Sequence, residues 1–142
     1  MMLRIALYDN ERDNIPKISE VSWIEWAKTL TTATVTACTS LDCAGKKCPH
    51  KSSFAWSPVD IVDKRSNENV KAITALGLDG DGLSPAQLET VAARVSGLAH
   101  VAHTTHRNRT NEGVTFIRLI ICLSRPVLAS EWSTFYPKAI SH

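Results

Sequence analysis

Apolar and polar positions alternate with clear period only in the second half of the chain. "VKAITALGLD" from residue 70 reads as a buried strand. Ser84, Pro85 and Gln87 then supply the N-cap, first-turn proline and capping-box partner of a helix, and Leu88, Val91, Ala92, Val95 and Leu98 give it one apolar stripe. Gly97 is placed to terminate it, and "LAHVAHTTH" reads as a second strand. After the polar "RNRTNEG", "VTFIRLIICL" makes a third strand, and "ASEWSTFYPKAI" predicts a short last helix ending near Pro137. The first half is less regular. "SWIEWAKTL" predicts a helix with Ser22 and Glu25 at capping-box spacing and Trp23, Trp26, Ala27 and Leu30 on one face. A threonine-rich "TTATVTACTS" follows, and then a polar, turn-rich piece from Leu41 to Asn69 without periodicity.

A strand, a helix of about a dozen residues and another strand most economically form a crossover with parallel strands, whose C-terminal ends share one edge of the sheet. That topology predicts a mixed α/β (α+β) domain. It also brings Asp79 and Asp81, at the end of the first strand, toward His106, at the end of the second. Ligands of open α/β sheets bind at that edge.

The length of 142 residues and a hydrophobic content of 44% suit one ordinary domain with a core. A formal charge of +2 is too small to announce nucleic acid by itself, so any basic site is local. No apolar run approaches the roughly 20 residues of a membrane span, and the start "MMLRIALYDNERDNIPK" lacks the apolar core of a signal peptide, which predicts a cytoplasmic protein with no membrane partner. Of the four cysteines, Cys122 lies in an apolar run as a buried free thiol, and a disulfide framework is not expected.

Asp79 and Asp81 point to one side if the strand persists through them, where two hard carboxylates suit Mg²⁺ or Mn²⁺. The bland alternative is that "DGDG" is only a turn. An EF-hand loop is excluded by register. With Gly82 at the obligatory glycine, the first ligand position falls on Gly77 and the terminal bidentate one on Leu88. Arg118, inside an apolar strand and on the face of Phe116 and Ile120, requires an anionic partner: a nucleotide phosphate, or one of Asp79, Asp81 and Glu131. Arg107 and Arg109 are placed to contact phosphate or template backbone, or simply to be solvated. Lys46, Lys47 and Lys51, with Arg65 beyond them, form a local basic patch bearing Phe54 and Trp56, the combination a single-strand contact uses; a solvated loop is its ordinary alternative. Cys38, Cys43, Cys48 and His50 offer four zinc ligands but lack the close C-x2-C pair, so zinc is the less favoured reading.

"RSNENVKAITALGLDGDG", then "HTTHRN" and "FIRLIICLSRPVLASEW", resembles the archaeo-eukaryotic primase superfamily, specifically the primase-polymerase-like replication proteins of phages and plasmids. The opening "RIALYDNERDNIPKISEVSWIEWAKTL" and "AWSPVDI" are similar to the front of such proteins. The resemblance implies an RRM-like half of a primase-polymerase core within residues 70–142, preceded by a helix and basic loop region in 1–69. It implies that Asp79 and Asp81 bind the divalent metals of nucleotidyl transfer, that Thr104, Thr105 and His106 form the S/T-x-H motif contacting the incoming nucleotide, and that Arg118 meets a phosphate. Expected partners are a nucleotide triphosphate, a single-stranded DNA template and a replicative helicase domain, in the cytoplasm of a bacterial host. Two features depart from the pattern. Gly80 stands where an apolar residue is common, and the third acid of the family's metal site has no match, since only Glu112 and Glu131 follow His106. The resemblance therefore implies either the N-terminal part of a longer replication protein or a short relative. The second alternative is a catalytically incomplete module binding nucleic acid or a protein partner as a regulator or phage-host inhibitor. A metal-dependent nuclease is the third.

Overall fold

The structure is a computed structural model describing residues 1–32, 55–105 and 113–141. Among these residues, two antiparallel sheets and three α-helices make a mixed α/β fold. The elements are β1 (Met2–Tyr8), β2 (Lys17–Ser22), α1 (Trp23–Thr31), β3 (Ala55–Ser57), β4 (Val59–Ile61), β5 (Val70–Leu83), α2 (Pro85–Val95), β6 (His100–Thr104), β7 (Thr115–Leu128) and α3 (Trp132–Ser141). The strands order as β2-β1-β3 in one sheet and β4-β5-β7-β6 in the other.

The first sheet was not legible from the sequence. β1 carries Leu3 and Ile5 on one face and Ala6 and Tyr8 on the other, all buried. A strand apolar on both faces shows no alternation, so its periodicity is silent. The turn-rich piece also holds structure: β3 pairs with β1 and β4 with β5, and Pro58 is the joint between them. Pro58 has no N–H to give a ladder, but its carbonyl accepts from Thr74 N at 2.8 Å. The only buried polar residue among those described, Thr74, sends its hydroxyl to the Arg4 carbonyl at 2.7 Å, and Arg4 reaches Asp60 at 2.7 Å. These bonds tie the two sheets together.

The helix starts follow the local chemistry. Ser22 with Glu25, and Ser84 with Gln87, both form complete capping boxes. Trp26 of α1 packs with Leu3 and Ile5 of the first sheet, while Ala27, Trp23 and Leu30 pack on Ala75, Val101 and Ile120 of the second. α1 is thus shared between the sheets. Of the apolar stripe expected on α2, Val95 is buried and Leu88 and Val91 half-buried, whereas Ala92 and Leu98 are exposed.

Pro137 does not end the last helix, which runs on to Ser141. Proline's fixed φ suits a helix, and its missing N–H deprives one carbonyl, that of the exposed Ser133 four residues back, which water can reach. Among the described residues no helix is long and apolar enough to cross a membrane.

Candidate functional site

β5 and β6 both pair antiparallel with β7, so they run parallel to each other, as the strand-helix-strand reading requires. β7 lies between them. The strand register then sets three residues in one row across the sheet: Asp79 faces Arg118, and Arg118 faces His103. Directly opposed residues share a face, so all three side chains stand on one side. The next row on that side is Gly77, Ile120 and Val101, the last two buried against α1. A polar row therefore borders the apolar seat of α1.

Arg118 finds its anionic partner in Asp79. Its Nε donates to Oδ1 at 2.7 Å and its Nη2 to Oδ2 at 3.1 Å, a two-pronged pair with both side chains about half exposed (43% and 54%). The guanidinium holds the Asp79 carboxyl below the usual carboxylate range, against an opposing effect of burial. Glu131 is taken elsewhere, by both terminal nitrogens of Arg125 at 2.9 and 2.8 Å.

β5 persists through both aspartates and ends at Leu83. Between Gly80, opposite Ile117, and Leu83, opposite Thr115, two residues of β5 stand against one of β7. Asp81 and Gly82 thus form a bulge opposite Phe116, and Gly82 has φ +68°, the left-handed backbone that a side chain disfavours. Asp81 is exposed beside this bulge. Gly80 has its own reason: a Cβ there would lie 2.7 Å from Leu83 Cδ1 and 3.0 Å from Ile117 Cγ1. A side chain between the aspartates would therefore require Leu83 and Ile117 to shift.

Thr104 faces Ile117 in the row of Gly80, so alternation carries its side chain to the face opposite Asp79. Thr105, just past β6, donates its backbone N–H to the Phe116 carbonyl at 2.9 Å. His106, Arg107 and Arg109 lie outside the described residues, as do Lys46, Lys47, Lys51, Phe54 and the zinc candidates Cys38, Cys43, Cys48 and His50. The rest of the basic patch is engaged. Arg65 lies 4.9 Å over the Tyr8 ring and donates to the Glu11 carbonyl, and Trp56 stands edge-on to Trp26 with ring centres 5.1 Å apart. Trp56 is part of the core beneath α1 rather than a free stacking platform. Cys122 is free and half-buried, with burial raising its thiol pKa.

His103 is the site neighbour that sequence reasoning missed. Its Nδ1 lies 3.1 Å from the Thr104 carbonyl oxygen. A carbonyl only accepts, so in the neutral ring the proton sits on Nδ1 and Nε2 carries a lone pair. That Nε2 is buried and has no hydrogen-bond partner among the described residues. The signal was present in "HTTH", but only the register with β7 selects His103 as the neighbour of Arg118.

Among the described residues no three His, Cys, Asp or Glu side chains converge as a metal cage. The donor set available is two carboxylates on one strand: Asp79, already paired, and Asp81, which makes no hydrogen bond or ion pair among the described residues. This suits Mg²⁺, which is commonly held by one or two carboxylates with substrate phosphates and water completing the octahedron. Comparison with protein-family profiles, curated proteins and solved structures gives no match.

Proposed function

We propose that the edge formed by Asp79, Asp81 and Arg118 binds a divalent metal with a nucleotide triphosphate, as the nucleotidyltransferase site of a primase-polymerase-type replication domain. The observation that carries this reading is the Asp79–Arg118 pair at a half-exposed sheet edge. Separating it for a lone anion or a lone cation would strand the other partner. A metal-bound triphosphate supplies both charges at once: Asp79 turns to the cation, and Arg118 to a phosphate oxygen. Asp81 adds a second carboxylate from the bulge, and His106 is the expected phosphate donor from the strand end. When bound, the metal would neutralise the triphosphate and stabilise the leaving pyrophosphate. Arg118 orients the phosphates, and Asp79 and Asp81 fix where the cation sits. A single-stranded template and a helicase domain are the partners this function calls for.

The test is nucleotide incorporation on a primed single-stranded template with Mg²⁺ or Mn²⁺. Incorporation lost in Asp79→Ala plus Asp81→Ala supports the reading. Template cutting without added nucleotide would instead identify a nuclease.

One observation favours a second reading. Asp79 is already satisfied by Arg118, as it would be in a module that binds nucleic acid or a protein partner without catalysis. On that reading the double variant retains its binding.

A further inference from the structure

Asp79 and Asp81 look alike in the sequence, two carboxylates with one glycine between them, but the structure gives them unlike surroundings. Each oxygen of Asp79 accepts from Arg118, so a cation approaching Asp79 meets the guanidinium charge. Arg118 is committed in turn: a phosphate approaching it meets the Asp79 carboxylate. Asp81, in the bulge with Gly82, is exposed and makes no hydrogen bond or ion pair among the described residues. Along β7 the neighbours of Arg118 on its own face are Phe116 and Ile120, both buried, whereas the Arg118 side chain is 43% exposed. Opening the pair is therefore a turn of the exposed side-chain end and requires no movement of the strand.

We infer that the Asp79–Arg118 pair is a latch that makes the site select a phosphate chain carrying its metal over either charge alone, with Asp79 as the acidic arm of the latch and Asp81 as the carboxylate on which the metal first docks. The inference rests on the phosphate reading above and adds that the two aspartates differ in role: without metal, Asp79 holds the phosphates off Arg118 and Asp81 does not. A cation that takes Asp79 leaves the guanidinium unpaired beside it, and a phosphate chain that takes Arg118 leaves the carboxylate unpaired beside it. Each ligand is thus opposed by the charge that the other would neutralise, and each raises the affinity for the other by one shared factor. An ion pair this exposed costs up to about fivefold in affinity to open, and the like charge left beside a lone ligand adds to that, so the shared factor is about fivefold or more.

The test is calorimetric titration with tripolyphosphate in a metal chelator, with magnesium tripolyphosphate, and with Mn²⁺ alone. In chelator, Asp79→Ala is expected to bind tripolyphosphate about fivefold or more tighter than the wild type, because Arg118 is released. Asp81→Ala removes the same charge from the same strand but leaves the latch closed, and is expected to gain less than about twofold. Arg118→Gln opens the latch from the other side and is expected to bind Mn²⁺ alone about fivefold or more tighter than the wild type. The inference is overturned if Asp81→Ala gains as much as Asp79→Ala in chelator, or if Asp79→Ala and Arg118→Gln, each folded by circular dichroism, gain nothing. In that case wild-type binding of magnesium tripolyphosphate would still uphold the phosphate reading. If neither the wild type binds magnesium tripolyphosphate nor Asp79→Ala binds tripolyphosphate in chelator, the phosphate reading falls and this inference with it.

Discussion

Arg118 grips Asp79 across the β5–β7 ladder with two nitrogens on two oxygens, at 2.7 and 3.1 Å, and so defines the candidate site before any ligand enters. Both side chains are about half exposed, which keeps the pair's contribution to stability below about 1 kcal/mol. Asp79 in the folded chain lies below its unfolded pKa. The pair's contribution is therefore complete above about pH 4 and disappears as pH falls through the folded value. Asp79→Asn should lower the urea midpoint slightly near neutral pH and flatten its fall in acid. An unchanged acid dependence would show that the pair is not formed in solution.

Arg125 and Glu131 form the comparable pair at the end of β7. The guanidinium, helped by the Leu128 N–H, lowers the Glu131 carboxyl to about 2. Carbon-detected NMR titration should find this glutamate ionised well below the ordinary glutamate value of about 4.3. Arg125→Ala should return it most of the way. Stability linked to this carboxylate is present above its unfolded pKa and lost as pH falls toward 2.

Core and site should separate cleanly by mutation. Ile120 is fully buried between the sheet and α1, so Ile120→Ala should destabilise by about 2–5 kcal/mol in urea unfolding. Asp81→Ala, at an exposed position, should change stability by less than about 0.5 kcal/mol. A large loss from Asp81→Ala would give that aspartate a structural role.

Gly80 should tolerate little. The approach of Leu83 and Ile117 leaves no space for a branched side chain, and Gly80→Val should cost about 1–3 kcal/mol by overpacking. A thermal melt of this variant beside Gly77→Leu, which enters open space, compares two glycines three residues apart on one strand.

Much of the second half of the fold was legible because its signals are local. Ser84, Pro85 and Gln87 start α2 where their chemistry places it, and Ser22 with Glu25 does the same for α1. What escaped is long-range. β1 shows no sustained alternation because Ala6 and Tyr8 are buried on one face as Leu3 and Ile5 are on the other, and β3 and β4 are three residues each, too short for any period. In the site, Arg118 announced an anionic partner by its place in an apolar strand, and Asp79 was one of the candidates named. The neighbour His103 could not be read, because it depends on β7 entering between two strands joined by a helix. Pro137 misled as a stop signal because an exposed helix can lose one hydrogen bond to water and continue.

The most direct measurement is calorimetric binding of a nucleoside triphosphate to the wild-type chain and to Asp79→Ala plus Asp81→Ala, each with and without Mg²⁺ or Mn²⁺. The account predicts wild-type binding that requires the metal, and a loss of about tenfold or more in the double variant with its thermal melt retained. Equal affinity in the two proteins, or wild-type binding indifferent to the metal, would contradict it.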